Sequence, residues 1–184
     1  MVSQTLIRQL QDIVGQERCL TAEEDRMVYS HDVYCESKPE VVVLPTSREE
    51  VSQVLKLANQ AKIPVTPRGS ASGLSGMCVP AQGGIVMAMS KMNRILEINK
   101  EDRLAVVEPG VITNDLQMAV EAQGVFYPPD PASREDSVIG GNIITNAGGP
   151  RCLKYGVTRD YVLGLEVVLA DGTVLRLGGR VHEG

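Results

Sequence analysis

Small hydrogen-bonding residues crowd one stretch of the chain, VTPRGSASGLSGMCVPAQGGIVMAM (residues 65–89), where Gly69, Ser70, Ser72, Gly73, Ser75 and Gly76 follow the apolar run that ends at Pro67. Glycine reaches positive φ without steric cost, so such a loop can curl until successive backbone N–H groups face one concavity that suits phosphate oxygens. Serine hydroxyls add donors without bulk. The same composition also suits a flexible surface turn between two strands. Spacing excludes two familiar phosphate loops. A Walker loop ends in Gly-Lys-Ser/Thr, whereas Gly73 is followed by Leu74 and Ser75. A dinucleotide fingerprint opens a helix, whereas this loop runs through Pro80 into a strand-like run from Ile85. A loop that cradles phosphate between two strands is a different architecture, and it stands beside the plain surface turn.

A second stretch, YPPDPASREDSVIGGNIITNAGGPRCLKYG (residues 127–156), has little periodicity. Prolines on both sides of Asp130 fix an extended path, and Gly140-Gly141-Asn142 and Asn146-Ala147-Gly148-Gly149 give two points of close backbone approach. Long aperiodic loops inside a domain are usually functional or disordered. Ile139, Ile143 and Ile144 argue against disorder. A flat, partly apolar ligand lying against backbone would explain small residues alternating with isoleucines; an Ω-loop packed on itself is the alternative.

Positioning these stretches requires a scaffold. Leu6, Ile7, Leu10, Ile13 and Val14 recur at helical spacing and predict a first helix ending at Gly15. Thr21 with Glu24 predicts a capping box for a short second helix, and Ser47 with Glu50 predicts another for a helix carrying Val51, Val54, Leu55 and Ala58. That helix lies between a buried strand at Val41–Leu44 and a strand at Val65–Thr66, so a parallel pair with a right-handed crossover is expected. The glycine loop then sits at the carboxyl end of the second strand, where open α/β sheets place ligands. Beyond Met89 the pattern predicts a hairpin over Ile95–Glu108, a helix capped by Thr113 and ended by Gly124, and strands Val162–Ala170 and Thr173–Leu177 joined by a two-residue Asp171-Gly172 turn. The fold class is α+β: a small parallel lobe with helices, about residues 1–92, followed by an antiparallel lobe, about residues 93–184.

Composition narrows the function classes. With 184 residues, 43% of them hydrophobic, the chain can bury a sizeable core. Aromatics make up only 3%, so aliphatic side chains must fill it. A net charge of −5 and the lack of a basic stripe argue against nucleic acid. Cys19, Cys35, Cys78 and Cys152 form no C-x-x-C and read as reduced, buried thiols rather than disulfides or a metal site. No apolar run approaches a membrane span, and the polar amino terminus is not a signal peptide, so a cytoplasmic protein is expected.

The runs PRGSASGLSG, GGIVMAMSKMNRILEI, PPDPAS, IGGNIITNAGG and KYGVTRDYVLGLEVVLADG, in this order over about Pro39 to Gly179, resemble the FAD-linked oxidases of the vanillyl-alcohol oxidase/para-cresol methylhydroxylase type. Within that family the resemblance is strongest to the flavin subunits of glycolate oxidase and the D-2-hydroxyacid (D-lactate) dehydrogenases. It implies FAD held by a two-lobed domain. It places the pyrophosphate loop on Arg68, Gly69, Ser70, Ala71, Ser72, Gly73, Leu74 and Ser75. It places the second flavin-binding segment on Pro129, Asp130, Ser133, Ile139, Gly140, Gly141, Asn142, Thr145, Asn146, Ala147 and Gly148. Arg68 would either assist phosphate binding or salt-bridge the loop, and Asn142 and Asn146 would either contact flavin or form local turns.

The match departs from the family in two places. Ala71-Ser72 stands where the family usually has Gly-Thr, and alanine at positive φ would cost about 1 kcal/mol. No histidine accompanies either motif, so FAD is expected to be non-covalent. The resemblance implies oxidation of a 2-hydroxy acid such as glycolate or D-lactate, with an iron–sulfur or other electron-transfer subunit as a possible partner. In the family a substrate domain follows, with metal- or substrate-binding histidines. His31 and His182 do not match those positions, no metal site is expected, and the chain reads as an amino-terminal part with negligible turnover of its own. A non-catalytic nucleotide-binding module is the alternative.

Overall fold

The apolar stripe of the first helix is buried on the side it predicts. Helix α1 (Gln4–Val14) starts where Ser3 Oγ accepts the Leu6 N–H at 3.2 Å and stops at Gly15, φ 84°. Leu6, Leu10 and Val14 are buried along it. The structure is a computed structural model that describes residues 1–180; His182 lies outside the described residues.

Strands β1 (Cys19–Leu20), β2 (Val41–Val43), β3 (Val65–Arg68) and β4 (Ile85–Ala88) form one sheet in the order β1-β2-β4-β3. The expected adjacency of β2 and β3 is therefore corrected: β4 lies between them, parallel to both. Burial explains the order. All four β4 residues are buried, as a central parallel strand requires, whereas β3 contains Pro67, which lacks an N–H and belongs on an edge. Two parallel strands need a long crossover, usually helical, yet residues 69–84 cross from β3 to β4 without a helix. The loop is thus freed from helical geometry. Val42, Leu44, Val86 and Ala88 pack together beneath Leu20 and Tyr29.

Helix α3 (Arg48–Ala61) is capped by Ser47, whose Oγ accepts the Glu50 N–H at 3.2 Å. The reciprocal half of the box is diverted, because Glu50 accepts the Thr46 N–H at 2.7 Å and pairs with Arg18 at 2.6 Å. Helix α2 (Glu23–Met27) departs further from expectation. Its N-cap is Ala22, without a side-chain bond, and three acidic residues in its first turn face the positive helix end instead.

In the following segment β5 (Ile95–Asn99) and β6 (Leu104–Val107) form the expected hairpin, with a bulge between Ile95 and Glu97. Thr113 is not the cap of α4 (Thr113–Glu121). Ile112 holds that position, and the fully buried Thr113 hydroxyl turns to the Ser137 carbonyl at 3.0 Å. The aperiodic second stretch contains two helices, α5 (Ile139–Thr145) and α6 (Cys152–Tyr155), and is not one long loop. Val111, Leu116, Val120 and Ile139 form the core there. Strands β7 (Gly164–Val168) and β8 (Val174–Gly178) pair around a turn longer than expected. Leu169 N–H reaches the Thr173 carbonyl at 2.8 Å, Gly172 N–H reaches Leu169 at 2.9 Å, and Gly172 alone in the loop has positive φ, 85°. That is a three-residue loop closed by a glycine bulge.

The chain divides into two units: Met1–Lys91 with Glu166–Leu175, and Met92–Leu165 with the residues from Arg176 onward. All four cysteines are free, but of the thiols expected to be buried only Cys19 is; Cys78 is half-buried, and Cys35 and Cys152 are exposed. Burial pushes the Cys19 thiol up to about 11.

Glu108 ties the start of the second unit together. Its buried carboxylate accepts Arg94 Nη2 at 2.7 Å, Nε at 3.1 Å and the Arg94 backbone N–H at 2.8 Å. The Arg94 guanidinium holds the Glu108 carboxyl below its ordinary value. A depressed folded value stabilises fully above the unfolded value, about 4.3, and the contribution fades as pH falls through the folded one. The melting-temperature gap between wild type and Glu108→Gln should therefore be open at neutral pH and close on acidification.

Candidate functional site

The loop after β3 presents unpartnered donors. None of the six backbone N–H groups from Ser70 to Ser75 is hydrogen-bonded among the described residues, and Ser70, Gly73, Leu74 and Ser75 are exposed. The hydroxyls of Ser70 and Ser72 meet at 3.2 Å. Positive φ falls on Ala71 (61°) and Gly76 (72°), not on Gly69 or Gly73. Alanine thus occupies the left-handed conformation, at a cost of about 1–2 kcal/mol.

Arg68, at the end of β3, makes no salt bridge to the loop among the described residues. It is buried, and its guanidinium donates to the carbonyls of His31 at 2.8 Å, Cys78 at 3.4 Å and Val28 at 3.5 Å, with its carbon 5.8 Å from the Tyr29 ring centroid. It clamps the base of the loop to residues 28–31. Sequence reasoning passed over the residue beside them. Asp32 accepts the N–H groups of Tyr34 (2.9 Å) and Cys35 (2.8 Å) on Oδ1 and that of Gly76 (2.8 Å) on Oδ2. The Tyr34 and Cys35 N–H groups hold its carboxyl below the usual range. The only signal in the sequence was an aspartate followed by a short turn.

The second segment is held from α4. Gln117, buried on the same helix face as Thr113, donates Nε2 to the Pro129 carbonyl at 2.7 Å. Asn142, also buried, donates Nδ2 to Thr113 Oγ1 at 2.6 Å. Asp130 is buried between Arg134 (2.9 Å) and Arg151 (3.2 Å), and its N–H reaches the Gly148 carbonyl at 3.3 Å. Ser133 contributes its carbonyl to the turn closed by Asp136 and Ser137. Ile139 joins the core, and Gly140 abuts Pro109, whose Cβ lies 2.8 Å from where a Gly140 Cβ would stand. Asn146 ends α5 at φ 49° and accepts the Arg159 N–H, 13 residues along the chain, at 3.0 Å. Ala147 offers its carbonyl to Thr158. Thr145 bonds back to the Gly141 carbonyl at 2.9 Å and is exposed, as is Ile144. Gly140 and Gly149 approach the chain's own backbone, at Pro109 and Asp130, whereas Gly141 and Gly148 meet side chains of Val138, Cys152 and Val157. The face left open on α5 is Gly141, Ile144 and Thr145.

An exposed loop of unpartnered backbone donors fits the oxygen-rich diphosphate of a dinucleotide. The FAD binding domain family matches residues 39–178. The chain belongs to that family. This FAD-binding chain is 46% identical over 183 residues to glycolate oxidase subunit GlcD of Bacillus subtilis (strain 168), covering 98% of this chain and 39% of that protein. It is 44% identical over 173 residues to D-lactate dehydrogenase of Anaerostipes hadrus, covering 92% of this chain and 36% of that protein. The chain therefore spans well under half the length of either relative. Its fold superposes on p-cresol methylhydroxylase with a TM-score of 0.82 at 26% identity, over 95% of this chain and 36% of that one. The α+β class with parallel and antiparallel sheets is that of these flavoproteins. Among the described residues no helix is long and apolar enough to cross a membrane, and no group of three His, Cys, Asp or Glu side chains is placed to hold a metal ion.

Proposed function

We propose that the chain is the FAD-binding part of a flavin oxidoreductase acting on a 2-hydroxy acid, glycolate or D-lactate in class. The six unpartnered N–H groups of Ser70–Ser75 carry this reading, as donors for the diphosphate. Gly141, Ile144 and Thr145 offer the open surface of the second segment to the flavin. FAD, when bound, would supply the two-electron redox chemistry for a 2-hydroxy acid. The residues of this chain bind and orient the cofactor. Binding is read as non-covalent because neither the 68–75 loop nor the 129–148 segment carries a histidine. The names of the two curated relatives support the substrate class, and an electron-transfer subunit is the natural acceptor. The test is to express the natural gene product, precipitate one portion with acid, and assay a separate native portion with 2-hydroxy acids and an artificial electron acceptor. Flavin in the supernatant and dye reduction by glycolate or D-lactate are expected. Flavin in the pellet overturns the non-covalent reading, and no reduction with any 2-hydroxy acid overturns the substrate class.

A further inference from the structure

We propose that Asp32 is a positioning residue for the diphosphate loop, a built-in anion that fixes the far end of the loop before any phosphate arrives. This rests on the FAD reading of Ser70–Ser75. Asp32 is 9% exposed, and both its oxygens are engaged by backbone N–H groups, two from its own turn and one from Gly76 across 44 residues of sequence. The near end of the loop is held by the neighbouring residue, through Arg68 and the His31 carbonyl. Two consecutive residues, His31 and Asp32, thus grip both ends of the loop. The first uses a carbonyl and the second a carboxylate. Gly76, with φ 72°, is the donor spent on this grip, and the N–H groups from Ser70 to Ser75 are left over for a ligand. Ordering a flexible segment at the moment of binding subtracts from affinity, so a loop pinned in advance binds more tightly.

Electrostatics and preorganisation make opposite predictions, which gives the proposal its test. By Coulomb's law alone, removing a carboxylate near a diphosphate site would tighten binding. Asp32→Asn leaves one oxygen to serve two sides, so its amide NH2 must face either Gly76 N–H or the Tyr34 and Cys35 pair, donor against donor. Affinities for FAD and for ADP, which presents a diphosphate without flavin, are measured for wild type and Asp32→Asn well below their melting temperatures. The grip predicts that both weaken by the same factor, about tenfold or more. Unchanged or tighter binding, or a loss confined to FAD, overturns it. Amide hydrogen exchange on the unliganded wild type needs no variant: Gly76 should exchange slowly while Ser70–Ser75 exchange freely. A Gly76 amide as fast as its loop overturns the grip. A wild type that binds neither ligand overturns the FAD reading instead, and the exchange comparison still decides the grip.

Discussion

Gly73→Asp is expected to lower the affinity of the chain for FAD by about a hundredfold, while Gly73→Ala leaves it within about twofold. A Cβ at Gly73 would meet no atom within 4 Å, and its φ is not positive, so neither substitution disturbs the loop. Gly73 is exposed in the middle of the unpartnered donors. A carboxylate about 5 Å from a phosphate charge costs about 3 kcal/mol at an effective dielectric constant near 20, and added salt reduces that figure. The alanine variant separates charge from bulk. Flavin fluorescence titration of the three chains decides the matter. Equal affinities would place the phosphates elsewhere, and equal losses would mean that shape, not charge, is sensed.

Gly149→Ala is expected to give the largest loss of stability. Gly149 has φ 121°, and a Cβ there would stand 1.8 Å from the Asp130 carbonyl oxygen and 2.4 Å from its carbon. The obstacle is backbone, so no rotamer change relieves it. Asp130 cannot easily retreat: its carboxylate is held by Arg134 and Arg151, and the preceding Pro129 carbonyl is held by Gln117. A loss of about 3 kcal/mol or more follows, a large share of the usual 5–15 kcal/mol of a folded domain. Gly124→Ala is the control. Gly124 also has positive φ, 79°, but open space around it, so only about 1 kcal/mol of backbone strain is expected. Thermal melts followed by circular dichroism should separate the two variants clearly. Equal melting temperatures would contradict this packing of the second segment.

Local patterns were legible where local physics decides them. The stripe of α1, the Ser47 cap and the β5–β6 hairpin follow from side chains interacting with near neighbours. The glycine- and serine-rich loop announced its donors through composition alone. Tertiary partners hid the rest. Thr113 looked like a cap because threonine usually is one, yet a buried partner, Ser137, claimed its hydroxyl. Helix α5 was masked by Gly140-Gly141, residues with low helix propensity, and Gly140 is small because Pro109 lies against it. The insertion of β4 between β2 and β3 depends on which strand tolerates an edge, and Pro67 carried that information unused. Arg68 and Asp32 were hardest to read. Arg68 grips the carbonyls of Val28 and His31 and Asp32 grips the Gly76 N–H, and backbone partners leave no trace in side-chain spacing.

We propose that the Ser70–Ser75 loop of this chain binds the diphosphate of FAD. The most direct measurement is the visible absorption spectrum of the purified chain after incubation with excess FAD and removal of unbound cofactor by gel filtration. A retained flavin band, about one per chain and released by acid denaturation, is the predicted result. A colourless protein, with no rise in melting temperature when FAD is present, would contradict the account.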